Sequence, residues 1–187
     1  MKPDTLTEIE ISSESVFQGH LLHVKRDKVR LPNGSETGRE YIVHPGAVLV
    51  VPVLENGNLV FERQFRYPLR QAFIELPAGK IDPNEDAMQT GRRELLEETG
   101  YTASAWHTLA ALHPCIGYSN EIIHIVLATG LQAGEHQRDH DESLEVFDMS
   151  LTEAMERMRR GEITDGKTMV ALFWAEKYLA GRWALPD

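Results

Sequence analysis

The sequence predicts an α+β fold, and three observations carry that expectation. Short strand-like runs occupy most of the first 78 residues. One charge-rich segment, 84–99, changes to helical spacing. Two further helical patterns come only near the end of the chain, so the regular alternation of a doubly wound sheet is missing.

Taken in order, segment 16–31, VFQGHLLHVKRDKVRL, runs into Pro32-Asn33-Gly34-Ser35, where Asn-Gly signals a hairpin turn. REYIVH (39–44) is the returning strand. AVLVVPVL (47–54) is a continuous apolar run, as a strand buried on both faces would be, and Pro52 in it suggests a bulge or an edge position. Asn56-Gly57 then turns the chain into NLVFERQF (58–65). In 84–99, Ala87, Met88, Leu95 and Leu96 sit among charges. Asp82, Pro83 and Asn84 offer cap and first-position chemistry, Glu85 and Asp86 suit the first turn, and Gly100 is a C-cap. Gly91 inside that helix costs about 1 kcal/mol relative to alanine, which implies close packing against a strand. Strands are expected at 104–113 and 121–128, then a polar acidic loop (131–143) and the strand LEVFDM (144–149). Ser150 and Glu153 form a capping box for a helix closed by Gly161, and a last helix over 166–180 stops at Gly181.

Composition narrows the function. The 187 residues suit one domain of ordinary size with a small appendage. A net charge of −10 argues against non-specific binding to nucleic acid or to an anionic membrane. No apolar run is long enough to span a bilayer, and the polar N-terminus lacks a secretory h-region. The single cysteine, Cys115, excludes an internal disulfide and fits the reducing cytoplasm. An anionic substrate must therefore be met by local positive charge or by metal ions.

That need directs attention to GRRELLEETG (91–100), which adds Glu94, Glu97 and Glu98 to an already acidic chain. Residues three and four apart share a helix face, so these carboxylates are expected to converge on one spot, where they would repel unless a cation sits between them. Hard divalent cations such as Mg²⁺ take carboxylate oxygens. Arg93 can pair with a neighbouring carboxylate and hold its rotamer.

The full stretch reads Gly79, five residues, Glu85, seven residues, Arg93-Glu94-Leu95, one residue, Glu97-Glu98, one residue, Gly100. It resembles the Nudix box, G-x5-E-x7-R-E-U-x-E-E-x-G-U with U a bulky aliphatic, and departs from it only at Tyr101, the final U. The resemblance implies an α/β/α sandwich with a mixed sheet, the box forming a loop-helix-loop, and hydrolysis of a nucleoside diphosphate linked to another moiety. It assigns Glu94, Glu97 and Glu98 as metal-binding and catalytic carboxylates, with two or more Mg²⁺ ions, Mn²⁺ serving as a substitute. Ala78, just before the box, would offer a backbone carbonyl to a metal, while Glu85 and Arg93 would orient the helix.

The flanks narrow the branch. RQFRYPLRQAFIELPAGKID (63–82), Pro114 in HPCIGYSNE and the C-terminal GEITDGKTMVALFWA resemble ADP-ribose pyrophosphatases and related nucleoside-diphosphate-sugar hydrolases. Arg63, Arg66 and Arg70 place positive charge beside the box, and a guanidinium grips phosphate bidentately. Arg66 fits the branch's substrate-contacting arginine, with Arg39 and Glu75 as further substrate-binding candidates. Tyr67 or Phe73 would stack on a base or pack in the core. The branch takes its general base from an acidic loop, here DHDES (139–143), and Glu142 is the choice, with Asp139 and Asp141 in reserve. The products from ADP-ribose would be AMP and ribose 5-phosphate. GDP-mannose or another nucleotide sugar is the alternative substrate, and a non-catalytic nucleotide-binding regulator the alternative class. Residues 1–44 are read as an N-terminal strand region that builds a homodimer, and 45–187 as the hydrolase domain.

Overall fold

The N-terminal strands form a sheet of their own, and polar side chains dominate it. In the computed structural model, which describes residues 5–134 and 143–184, β1 (Ile9–Gln18), β2 (His23–Arg30) and β3 (Glu36–Val43) lie antiparallel in the order β1-β2-β3. The Asn-Gly signal holds: β2 and β3 are joined at 31–35, where Gly34 has φ +87 and the Asn33 side chain accepts a hydrogen bond from the Ser35 amide. Segment 16–31 comprises the end of β1 and all of β2. The chain reverses at Gly19–Leu22, closed by the Gly19 amide donating to the Leu22 carbonyl. Every residue of β1 is exposed, so no buried alternation marked it. Among the described residues, those up to Pro45 and Cys115–Glu121 make one unit, and the remainder makes a second.

The second unit is organised by β4 (Ala47–Pro52), whose six residues are all buried. β5 (Asn58–Arg66) follows the Asn56-Gly57 turn and pairs with β6 (Gln71–Glu75). β7 (Ala78–Lys80) then returns antiparallel to β4. β8 (Tyr101–Leu112) and β9 (Ile123–Ala133) are antiparallel to each other, and β9 is parallel to β4, giving a mixed sheet in the order β7-β4-β9-β8. β7 pairs with β4 only as far as Leu49, so Pro52 sits where one side of β4 carries no strand partner among the described residues. This is the edge position that a residue without an amide hydrogen requires. β10 (Leu144–Ser150) joins β5 and β6 in a separate antiparallel sheet, β10-β5-β6.

Successive residues of β4 point to opposite faces, and each face is covered by a helix. Val48 and Val50 pack with Val126, Ala128 and Leu95 of α1 (Ala87–Thr99). Leu49 and Val51 pack with Ile125, Leu127 and the Ala171, Leu172 and Ala175 stripe of α3 (Gly166–Leu179). Between these helices in sequence, α2 (Leu151–Arg159) is capped by Ser150, which accepts from the Glu153 amide. The layers are thus helix, mixed sheet, helix, with the second sheet adding to the α3 side of the core.

Gly91 explains how closely α1 approaches. A Cβ built there would lie 3.3 Å from Val48 and 3.4 Å from Val126. The helix starts later than the cap chemistry at 82–84 suggested. Asp86 is the N-cap, in a reciprocal capping box with Gln89, and Asn84 at φ +73 belongs to the preceding turn.

The buried Thr168 of α3 ties the core to the loop beneath the next site, because its hydroxyl accepts from the Leu76 amide at 3.0 Å. Thr168→Val keeps the shape and strands that amide. The expected loss is about 1–3 kcal/mol, read as a lower urea midpoint at unchanged slope; an unchanged midpoint would show that the bond contributes nothing.

Candidate active site

The charged residues of the box are gathered by one arginine. Arg93 extends from α1 across the turn before it. Its Nε donates to Glu85 Oε1 at 3.0 Å, its Nη1 to Glu94 Oε1 at 2.8 Å and Glu97 Oε2 at 3.0 Å, and its Nη2 to the Lys80 carbonyl at 3.2 Å. Hydrogen bonding from Arg93, then from Thr90, pulls the Glu85 carboxyl down to about 2. The same contacts, Glu85 first, raise the Arg93 guanidinium.

The expectation that Glu94, Glu97 and Glu98 meet at one point is not met in detail. Glu94 and Glu97 turn to Arg93, whereas Glu98, 4% exposed, accepts from the Ala78 amide at 3.1 Å. Among the described residues no three His, Cys, Asp or Glu side chains stand as a ready chelating group. Ala78 and Glu98 are nonetheless brought together, and Gly79 is shaped to receive Glu94. A Cβ at Gly79 would lie 1.7 Å from Glu94 Oε1, so only a residue without one lets this carboxylate rest against the β7 backbone.

A second cluster centres on Glu75, which is 2% exposed at the end of β6. Arg66 grips it with two bonds, Nε to Oε1 at 2.7 Å and Nη2 to Oε2 at 2.8 Å. Lys167, at the start of α3, donates to Glu75 and, at 2.9 Å, to Asp165. Burial acts to raise the Glu75 carboxyl, but the Arg66 and Lys167 contacts outweigh it and leave it below its ordinary value. A cavity of about 330 Å³ opens here, lined by Arg66, Leu69, Phe73, Glu75, Asp165 and Lys167. A hollow of about 470 Å³ along α1 and β8 is lined, among the fixed residues of the box, by Arg93 and Glu97.

Arg66, Glu75 and Phe73 therefore come together, while the other arginine candidates have partners of their own. Arg63 pairs with Glu145 at 3.1 Å, both exposed. Arg70 stacks over the Tyr67 ring at 3.4 Å. Arg39 belongs to the N-terminal unit, held by Glu8 at 2.9 and 2.6 Å. Glu142, Asp139 and Asp141 fall outside the described residues.

Sequence reasoning missed Lys167, Asp165 and Glu62. The first two lie in the quoted stretch GEITDGKTMVALFWA, where the Asp-x-Lys was a legible charge pair. Glu62 follows Leu59, Val60 and Phe61 and, like them, is completely buried. Its register partner is Glu75. Burial, then the Glu75 charge, pushes its carboxyl up to about 7.

The residues suit a hard divalent cation. The donors are carboxylate oxygens, Gly79 makes room for one of them, and the buried oxygens of Glu62 have no hydrogen-bond partner among the described residues.

With this geometry in hand, likeness to known proteins is informative. Residues 43–173 match the NUDIX domain, and residues 9–42 match the nucleoside diphosphate sugar hydrolase N-terminal domain. The chain belongs to the NUDIX domain family and is a pyrophosphohydrolase of it. It is 38% identical over 170 residues to the ADP-ribose pyrophosphatase of Bacillus subtilis (strain 168), spanning 90% of this chain and 92% of that protein. It is 33% identical over 136 residues to the GDP-mannose pyrophosphatase of Cronobacter sakazakii (strain ATCC BAA-894), spanning 68% and 71%. A solved structure described as an ADP compounds hydrolase shares the fold, with a TM-score of 0.84 over 94% of this chain and 97% of that one at 24% identity.

Because the folded Glu85 carboxyl lies below its ordinary 4.5, its pairing with Arg93 stabilises the protein above that value and is lost as pH falls through about 2. NMR titration of the Glu85 carboxyl carbon should give a midpoint near 2. A midpoint above 4 would mean that the clasp does not form in solution.

Proposed function

We propose that this NUDIX enzyme hydrolyses the pyrophosphate bond of ADP-ribose to AMP and ribose 5-phosphate, using two or more Mg²⁺ ions for which Mn²⁺ can substitute. The observation that carries the reading is the seating of Glu98 on the Ala78 amide beside the Arg93-held carboxylates of the same helix. The 38% identity to an ADP-ribose pyrophosphatase supports this sugar over others, and the 33% identity to a GDP-mannose pyrophosphatase makes GDP-mannose the second candidate.

Glu94, Glu97, Glu98 and the Ala78 carbonyl would hold the ions. When bound, such ions supply charge neutralisation on a diphosphate and an activated water. Arg66 binds and orients the substrate. Its planar fork is engaged by Glu75, and a diphosphate entering the cavity competes for the same donors with the same two-point geometry. Lys167, which also bonds Glu75, gives that carboxylate a second cation while Arg66 turns to the substrate. Phe73 supplies an apolar wall. The proton acceptor is proposed to be Glu142, on sequence grounds. Arg39, earlier in the chain than these groups, is retained as a substrate contact on the same grounds.

The proposal places the enzyme in the cytoplasm as a homodimer built through residues 1–44. β1 exposes Ile9, Ile11, Val16 and Phe17 on a strand paired on one side only among the described residues. No helix among the described residues is long and apolar enough to cross a membrane.

Purified protein should turn over ADP-ribose with Mg²⁺, with lower activity on GDP-mannose, UDP-glucose, NADH and diadenosine polyphosphates, and none in EDTA. Glu98→Gln should lower kcat by about 100-fold or more at unchanged far-UV CD. Failure of every substrate with both Mg²⁺ and Mn²⁺ would end the proposal. Light scattering at micromolar concentration should give twice the chain mass, and the monomer mass would remove the dimer.

A further inference from the structure

We propose that Glu62 is a further carboxylate ligand of the divalent-cation site, supplied by β5 rather than by the box helix. The inference rests on reading Glu98 as a cation ligand and extends that site to a second element of the fold.

The position is unusual for an acid. Glu62 lies on the central strand of β10-β5-β6, flanked by Val146 on one side and Glu75 on the other. It is 0% exposed, as are the three apolar residues before it. An aliphatic side chain would satisfy such a place, so core packing gives no reason for a carboxylate.

Its surroundings leave it unanswered. Neither Glu62 oxygen has a hydrogen-bond partner among the described residues. The nearby cations are both committed to Glu75: Arg66 through its fork, and Lys167 through a bond it shares with Asp165. The Glu98 carboxyl acts on that of Glu62, and two ionised carboxylates have no hydrogen to share. Two buried carboxyls that act on each other need either a shared proton or a cation. Glu98 is also held by the Ala78 amide, so a ligand from β5 would join a carboxylate already fixed beside the box. Oxygen donors from two elements, with a backbone strand beside them, form the hard ligand set that a divalent cation takes. Metal binding would thus join β5 to α1, coupling the sheet that carries Arg66 and Glu75 to the box.

The test is metal binding to the full chain without substrate. Mn²⁺ is titrated into wild type and Glu62→Gln, followed by calorimetry and by the Mn²⁺ EPR signal. The glutamine variant should bind at least about tenfold more weakly, and the rise in Tm that Mn²⁺ gives the wild type should shrink accordingly. Retention of affinity within tenfold overturns the assignment, because the side chain then needs only a proton. Glu62→Leu makes the same comparison if the glutamine variant does not fold. Failure of both to fold also overturns it, since the carboxyl would then serve the core itself. If wild type binds no Mn²⁺, the metal-dependent function falls with it; if wild type binds and only the variants match it, the Glu62 assignment falls alone.

Discussion

The reach of the Arg93 guanidinium is the constraint on which the site depends. Three glutamates spaced three and four apart on one helix repel one another, and the chain around them is already acidic. Arg93 offsets this from within the same helix by engaging Glu94 and Glu97, and it extends to Glu85 and the Lys80 carbonyl beyond the helix start. The turn at 80–86, the end of β7 and the first turns of α1 are thereby held as one piece. Glu94 is pressed against Gly79 as a result, and Glu98, beyond the arginine's contacts, is left to bond the Ala78 amide. Glu85, Arg93 and Gly79 are accordingly positioning residues: they decide where the carboxylates point.

The second electrostatic centre works by the opposite arrangement. There one buried carboxylate, Glu75, collects two cations, Arg66 and Lys167, from β5 and α3. A buried acid held by a bidentate arginine and a lysine stays charged, and those cations remain ordered at the cavity wall. The core beneath makes this possible. β4 is buried on both faces, so α1 and α3 are fixed on opposite sides of one sheet, and each delivers its charged end to a defined place.

Much of this was legible locally, and the failures have local causes. The buried run at 47–52, the turns at Asn33-Gly34 and Asn56-Gly57, the close approach at Gly91 and the caps at Gly100 and Ser150 all follow from short-range chemistry and recur in the structure. The start of α1 was misplaced because Asp82 and Asp86 are both acceptable caps; Gln89, three residues after Asp86, decides between them through a reciprocal bond. The bounds of β1 are not legible in the sequence because a wholly exposed strand has no hydrophobic alternation to mark it. Lys167 lies 92 residues from its partner Glu75, a separation across which no periodicity carries information.

By itself, the sequence determined the box: its glycine, arginine and glutamates, their helix and the class of protein to which they belong, because spacing within a helix and a turn is set by local geometry. Only the tertiary structure decided which acid meets which partner. Arg93 takes Glu94 and Glu97, Ala78 takes Glu98, Arg66 and Lys167 take Glu75, and Glu62 is buried beside them without a donor among the described residues. Those pairings depend on strand register and on desolvation, which arise when distant segments pack together and leave no trace in the order of residues along one segment.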